Sequence, residues 1–143
     1  MPAADPTFVE FVRQNYLLVA VALVSGAMLV WPYVRRVTGG PWVTPTQATQ
    51  LINREDALVI DVREPAEYGT GHVLGAKNIP LARIGAAGAE IAKRKDKPVI
   101  VYCQSGERAP KAAAELRKLG FSRVASLSGG MKAWLAAGLP AEK

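Results

Sequence analysis

Hydrophobic positions fall into two patterns along the chain. From Gln14 to Val34 no side chain is charged, and the stretch YLLVAVALVSGAMLVWPYV is apolar on every helical face. A helix packed in a soluble core keeps one polar face, so a helix apolar all round is predicted to lie in lipid. Tyr16 to Tyr33 would rise about 27 Å as a helix, close to the hydrocarbon thickness of a bilayer. Tyr16 at one end, with Trp31 and Tyr33 at the other, suits the two membrane interfaces. Pro32 is expected in the last turn. After VTGGPW, a breaker-rich stretch, the pattern changes to short apolar runs alternating with helical periodicity. TPTQATQLINRE (44–55) opens on a Thr-Pro start signal. ALVIDV (57–62) and KPVIVYC (97–103) are continuous apolar runs, the mark of strands buried on both faces. EPAEYG (64–69) predicts a helical turn, AKNI (76–79) a short strand and LARIGAAGAEIAKR (81–94) a helix weakened by its glycines. APKAAAELRKLG (109–120) predicts a helix stopped by Gly120. SRVASL (122–127) predicts the last strand and GGMKAWLAAGLP (129–140) the last helix.

Strands that alternate with helices form right-handed crossovers around a parallel sheet covered on both faces, an α/β fold. The expected organisation is therefore an N-terminal segment (1–36) carrying one transmembrane helix at about 15–34, a linker (37–41) and an α/β domain (42–143). Arg35 and Arg36 follow the span while Arg13 alone precedes it. By the positive-inside rule this leaves the N-terminus outside and the domain in the cytoplasm, on a single-pass protein of the inner (cytoplasmic) membrane. The competing expectation is a cleaved signal peptide, with SGA at 25–27 as the small-residue site. Asp5 and Glu10 in the leading segment, and an apolar run that continues through MLVW, weigh against it.

Composition changes this picture in two places. The 143 residues carry a net charge of +6, which would suit an anionic partner. The basic residues are scattered, however, with KRKDK at 93–97 the one dense run, and no basic–aromatic interleaving marks a single-strand binder. No nucleic-acid partner is expected. The single cysteine excludes an intrachain disulfide and a Cys-rich metal site, and no cofactor or metal is expected.

That cysteine, Cys103, stands where a strand ends and a helix is about to begin, in VYCQSGERA (101–109). Helix-terminal N–H groups and the helix dipole stabilise a thiolate there. Free thiols titrate at about 8.5, so such a field decides how reactive a cysteine is near neutrality. The competing expectation is a small apolar residue closing a strand. Sites in parallel sheets form at the carboxyl ends of strands, and Asp61 lies near the end of another strand. A loop from Cys103 through Gln104, Ser105, Gly106 and Glu107 to Arg108 can turn backbone N–H groups inward as an anion cradle.

Three blocks, LVIDVREPAEYGTGHVLGAKNIPL (58–81), VIVYCQSGERA (99–109) and SLSGGMKAWLAAGLP (126–140), resemble in order and spacing those of a single-domain rhodanese. The likeness covers residues 42–143. It implies a central five-stranded parallel sheet flanked by helices. It also implies a sulfurtransferase whose Cys103 takes sulfane sulfur as a persulfide, from thiosulfate or from a protein or low-molecular-weight persulfide. A nucleophilic acceptor, a thiol or a cyanide-like anion, would then receive it. Gln104, Ser105, Gly106, Glu107 and Arg108 match the substrate-binding loop. Arg108 either pairs with an anionic group of the donor or braces the loop. Asp61 and Arg63 match a supporting ion pair, which Glu67 could join; His72 matches an architectural turn position, and Trp134 is expected in the core. Many thiosulfate-using relatives carry a basic residue after the cysteine, where this chain has Gln104, and Glu107 adds a negative charge. The loop side chains from 104 to 108 sum to zero, which disfavours a dianion such as thiosulfate.

Two other functions are compatible with these residues. One is a phosphatase, because a related phosphatase family shares the fold and a Cys-to-Arg loop; here four residues separate Cys103 from Arg108, one fewer than in those enzymes. The other is a non-catalytic rhodanese-like module that positions a membrane-protein partner and retains the thiol.

Overall fold

The computed structural model describes residues 6–38 and 40–143, the side chains of Pro6 and residues 35–38 excepted. Asp5, Gly39 and the side chains of Arg35 and Arg36, which set the expected orientation and part of the expected linker, lie outside the described residues. The chain divides into two compact units, Met1–Thr38 and Gly39–Lys143.

In the first unit, helix α1 (Pro6–Gln14) was not anticipated from the sequence. It leads through Asn15 into α2 (Tyr16–Thr38). Asn15 N–H donates to the Phe11 carbonyl at 3.0 Å and Val19 N–H to the Asn15 carbonyl at 2.9 Å, so hydrogen bonding runs almost unbroken between them. Helix α2 continues past the expected boundary at residue 34 and into the expected linker, and Pro32 sits inside it rather than in its last turn. Proline removes one backbone donor, but its fixed φ is compatible with helix, so the turns beyond it can re-form. Tyr16–Val34 has a mean hydropathy of 2.1 and is the one described helix long and apolar enough to cross a membrane. Its apolar side chains are exposed, Leu29 by 79%. A signal sequence meets the same criterion.

The second unit is built on a five-stranded parallel sheet. Strand β1 (Trp42–Val43) follows directly on the expected linker, too short to show a period in the sequence. Helix α3 (Pro45–Glu55) begins where Thr-Pro predicted, and the Thr44 hydroxyl accepts from Gln47 N–H at 3.2 Å while Gln47 Oε1 accepts from Thr44 N–H at 2.9 Å. This reciprocal box satisfies two otherwise orphaned donors. Strand β2 (Leu58–Asp61), helix α4 (Pro65–Thr70), and the short strands β3 (His72–Val73) and β4 (Lys77–Asn78) follow. The helix expected over 81–94 is replaced by a 3-10 turn at Leu81–Arg83, the single turn α5 (Ile84–Ala87) and a second 3-10 turn at Ala92–Arg94. Burial of Ile84, Ala87 and Ile91 preserves the apolar face, whereas Gly85 and Gly88 weaken continuous helix.

Strand β5 (Val99–Tyr102) is buried at every residue, as a central parallel strand should be. Helix α6 (Ala109–Lys118), strand β6 (Val124–Leu127), helix α7 (Gly130–Ala136) and strand β7 (Ala141–Glu142) complete the unit. The sheet order is β1-β6-β5-β2-β4, and β3 pairs with β7 in a separate two-stranded antiparallel sheet. On one face Ile60, Val62, Val99 and Val101 pack with Ala112, Ala113 and Leu116 of α6. On the other, Val59, Ile100 and Tyr102 pack with Ala48 of α3 and with Met131 and Trp134 of α7. Two apolar layers therefore clamp the central strands and fix where their carboxyl ends emerge.

Candidate active site

Strands β2 and β5 are neighbours in register, with Asp61 opposite Tyr102, so the residues that follow them emerge side by side. Cys103 is the first residue beyond β5 and is buried, 1% exposed. Its chain then turns back on itself. Gly106 N–H donates to Cys103 Sγ at 3.0 Å and Arg108 N–H donates to the same atom at 3.3 Å. Gly106 adopts φ +98°, a conformation natural to glycine and strained for other residues, and this lets the loop close on the sulfur. Arg108 is the residue before α6, so the positive end of that helix also faces the thiol. Convergent N–H groups and a helix start form an environment that stabilises negative charge on sulfur. Ser105 and Glu107 are exposed, and Gln104 is half-buried.

The loop is held from behind by α7. Met131 N–H donates to the Cys103 carbonyl at 2.8 Å and Lys132 N–H to the Gln104 carbonyl at 3.2 Å. A Cβ on Gly130, at φ +59°, would collide with the Cys103 carbonyl oxygen. This support was missed from the sequence. Its signal was the Gly129-Gly130 pair of the third block, two residues that permit such a close backbone approach.

Asp61 and Arg63 form a buried pair beside the loop, 0% and 2% exposed. Arg63 donates Nη2 to Asp61 Oδ2 at 2.7 Å, Nε to both carboxylate oxygens at 3.0 Å, Nη2 to the Gly71 carbonyl at 2.7 Å and Nη1 to Gln104 Oε1 at 3.0 Å. The pair thereby orients the side chain next to the cysteine. Burial works against the Arg63 guanidinium, and the Asp61 carboxylate more than offsets it, so its pKa ends above the ordinary value. Tyr102 donates its hydroxyl to Asp61 Oδ2 at 2.7 Å and accepts from Val73 N–H at 3.1 Å. Burial first, and the Asp61 charge second, push its phenol upward, so it stays a neutral donor. Tyr102 was also missed, because in an apolar run it reads as core.

Both Nη atoms of Arg108 donate to the Glu67 carboxylate at 2.9 Å. This geometry ties the loop to α4 and commits the guanidinium to a protein partner. The Arg108 guanidinium beside Glu67, reinforced by Glu64 N–H, pulls the Glu67 carboxyl well below the ordinary carboxylate range, to about 2. A depressed carboxylate stabilises the fold above its unfolded value, and that contribution disappears as pH falls from about 4.5 through about 2. The pair is 36% exposed on each side, so the contribution is modest, at most about 1 kcal/mol. NMR titration of the Glu67 carboxyl carbon is expected to give a midpoint near 2; an ordinary carboxylate midpoint would contradict the pairing.

His72 and Trp134 occupy structural positions. The His72 ring stacks on Tyr68 with centroids 3.7 Å apart, its Nδ1 lies 3.0 Å from the Tyr68 carbonyl and its Nε2 3.3 Å from Glu142. Trp134 is buried and donates Nε1 to the Pro140 carbonyl at 2.9 Å. Among the described residues no group of three His, Cys, Asp or Glu side chains is arranged to hold a metal ion.

The family model described as "Rhodanese-like domain" matches residues 44–137. The uncharacterized protein YqhL of Bacillus subtilis is 50% identical over 78 residues, which span 54% of this chain and 60% of the relative. The uncharacterized protein YibN of Escherichia coli K12 is 36% identical over 129 residues, covering 90% of each chain, so that likeness extends into the N-terminal unit. Thiosulfate sulfurtransferase GlpE of Pseudoalteromonas translucida is 35% identical over 95 residues, 66% of this chain and 89% of the relative. The crystal structure of a rhodanese-related protein from Thermoplasma volcanium superposes with a TM-score of 0.61 at 28% identity, covering 72% of this chain and 98% of that one.

Proposed function

Because the chain belongs to the rhodanese-like domain family, we propose that it is a membrane-anchored sulfurtransferase with Cys103 as its sulfur carrier. The observation that carries this reading is the pair of N–H groups, from Gly106 and Arg108, that converge on Cys103 Sγ. The Cys103 thiolate attacks the outer sulfur of a donor, the donor's S–S bond breaks, and the bonding electron pair leaves with the donor as sulfite or a thiolate. Cys103 then carries a persulfide, whose terminal sulfur lies in the cradle of residues 104–108. An acceptor thiolate or cyanide-like anion attacks that sulfur, and Cys103 departs as thiolate. Nothing is oxidised or reduced overall; one sulfur atom moves.

The loop's polar side chains also bear on the donor. Arg63 is committed to Asp61, Gly71 and Gln104, and Arg108 to Glu67, while Glu107 is exposed. With both arginines already paired, the site favours a persulfide over the dianion thiosulfate. Asp61 and Arg63 act as supports that position Gln104.

The apolar helix Tyr16–Val34 supports a single span in the cytoplasmic membrane, and Arg35 and Arg36 after it, against Arg13 before it, favour the domain on the cytoplasmic side. Protease added outside intact spheroplasts is expected to leave residues 42–143 undigested. A soluble form beginning near Met28 would instead establish a cleaved signal sequence.

The reading is tested by mass spectrometry after incubation with a sulfane-sulfur donor, where a gain of one sulfur on the Cys103 peptide is expected. No gain with thiosulfate or with a low-molecular-weight persulfide would favour a non-catalytic module that positions a membrane partner.

A further inference from the structure

A groove of about 320 Å³ opens beside the Cys103 loop, walled by Gln104, Arg63, Met131, Leu135, Ala141 and Glu142. It is continuous with the thiol's own support. Gln104 follows Cys103 directly, and Met131 N–H holds the Cys103 carbonyl at 2.8 Å. Helix α7 gives the groove an apolar floor through Leu135, 54% exposed, with Met131, 2% exposed, beneath it. Strand β7 forms another wall, fixed by its pairing with β3 and by Glu142 Oε1, which accepts from Gly75 N–H at 3.1 Å.

Charge and size narrow what fits. The Arg63 guanidinium is engaged on all three nitrogens by Asp61, Gly71 and Gln104, and the Glu142 carboxylate is engaged by Gly75 and lies 3.3 Å from His72. Lys143, exposed at the rim, is a further cation among the lining residues, but the groove offers no unpaired arginine fork to clamp an inorganic dianion, while its apolar floor gains free energy from covering methylene groups. Its volume lies at the low end of small-molecule sites, too small for a large ligand.

We propose that this groove is an acceptor subsite that binds the stem of a low-molecular-weight aliphatic thiol, with the thiol end directed toward the Cys103 persulfide. The subsite rests on the sulfurtransferase reading for its role, but not for its existence. Chain length is the discriminating variable, because ω-hydroxyalkanethiols share one nucleophile and differ only in stem, and cyanide has no stem.

The test uses full-length protein in nanodiscs with a saturating low-molecular-weight persulfide, the donor class that the loop favours, and subtracts the uncatalysed rate. Cyanide, 2-mercaptoethanol, 4-mercaptobutanol and 6-mercaptohexanol serve as acceptors. A fully buried methylene contributes about 0.8 kcal/mol; for stems covered about halfway, the acceptor KM is expected to fall roughly tenfold from the two-carbon to the six-carbon thiol, with kcat little changed. Leu135→Gln keeps the helix propensity and approximate size of the side chain. It is expected to lower the ratio of kcat/KM for 6-mercaptohexanol over that for 2-mercaptoethanol severalfold. Binding is read separately in the Cys103→Ser protein, where 6-mercaptohexanol should shift the methyl NMR signals of Met131 and Leu135. A KM independent of stem length, or no shift of these methyl signals, overturns the subsite. Methyl shifts without any turnover, even with cyanide, would retain the groove as a thiol site and overturn the sulfurtransferase reading instead.

Discussion

Cys103→Ser is expected to abolish sulfur transfer and to gain no sulfur from any donor, while the protein folds as wild type does. Serine replaces the thiol with a group of similar shape, and its oxygen can accept from the Gly106 and Arg108 N–H groups that now meet Sγ. The fold therefore keeps its loop. What is lost is the nucleophile, because the sulfur transferred must bond to sulfur and a hydroxyl is not ionised near neutral pH. The wild type should show double-displacement kinetics, with parallel lines in double-reciprocal plots, since the persulfide divides the reaction into two halves. Circular dichroism and the thermal midpoint of the variant serve as controls. Turnover near the wild-type rate in a folded Ser variant would remove Cys103 from the mechanism.

The largest stability effect is expected at Asp61→Ala. Asp61 is 0% exposed and accepts from the Arg63 backbone N–H at 2.9 Å, from the Arg63 side chain and from Tyr102. Truncation leaves a buried guanidinium without its counter-charge and a buried phenol without its acceptor. Breaking a buried pair from one side costs about 3–5 kcal/mol, whereas replacing both partners with apolar groups is often close to neutral. Asp61→Ala with Arg63→Met is therefore expected to recover much of the loss, and denaturant unfolding of the single and double variants reads the coupling. Losses at Asp61 and Arg63 that simply add would show that the two side chains act independently. Activity should fall further than stability requires, because Arg63 also holds Gln104 beside the thiol.

Much of this was legible in the residues. Continuous apolar runs at 57–62 and 97–103 became β2 and β5, because a strand buried on both faces leaves no polar alternation. Thr44-Pro45 became a capped helix start, and Gly120 followed the last turn of α6. Strand β1 and the pair β3–β7 were not legible. Each is two residues long, a single period of strand alternation and too short to show a repeat, and each exists only because a neighbour supplies hydrogen-bond partners. The helix expected over 81–94 shows the opposite failure, where apolar spacing was correct but two glycines left the backbone to break into turns.

By itself the sequence determined the α/β class, the apolar N-terminal helix and the position of one thiol between a strand and a helix, because each is encoded in contiguous residues. Only the tertiary structure decided how that thiol is surrounded. Arg108 binds Glu67, 41 residues away, Arg63 binds Gln104 across the same separation, and Met131 clasps the Cys103 carbonyl from another helix. Such contacts depend on the order β1-β6-β5-β2-β4, which brings distant strand ends to one edge. A charged side chain in one segment carries no local signal of the partner that the sheet order will place beside it.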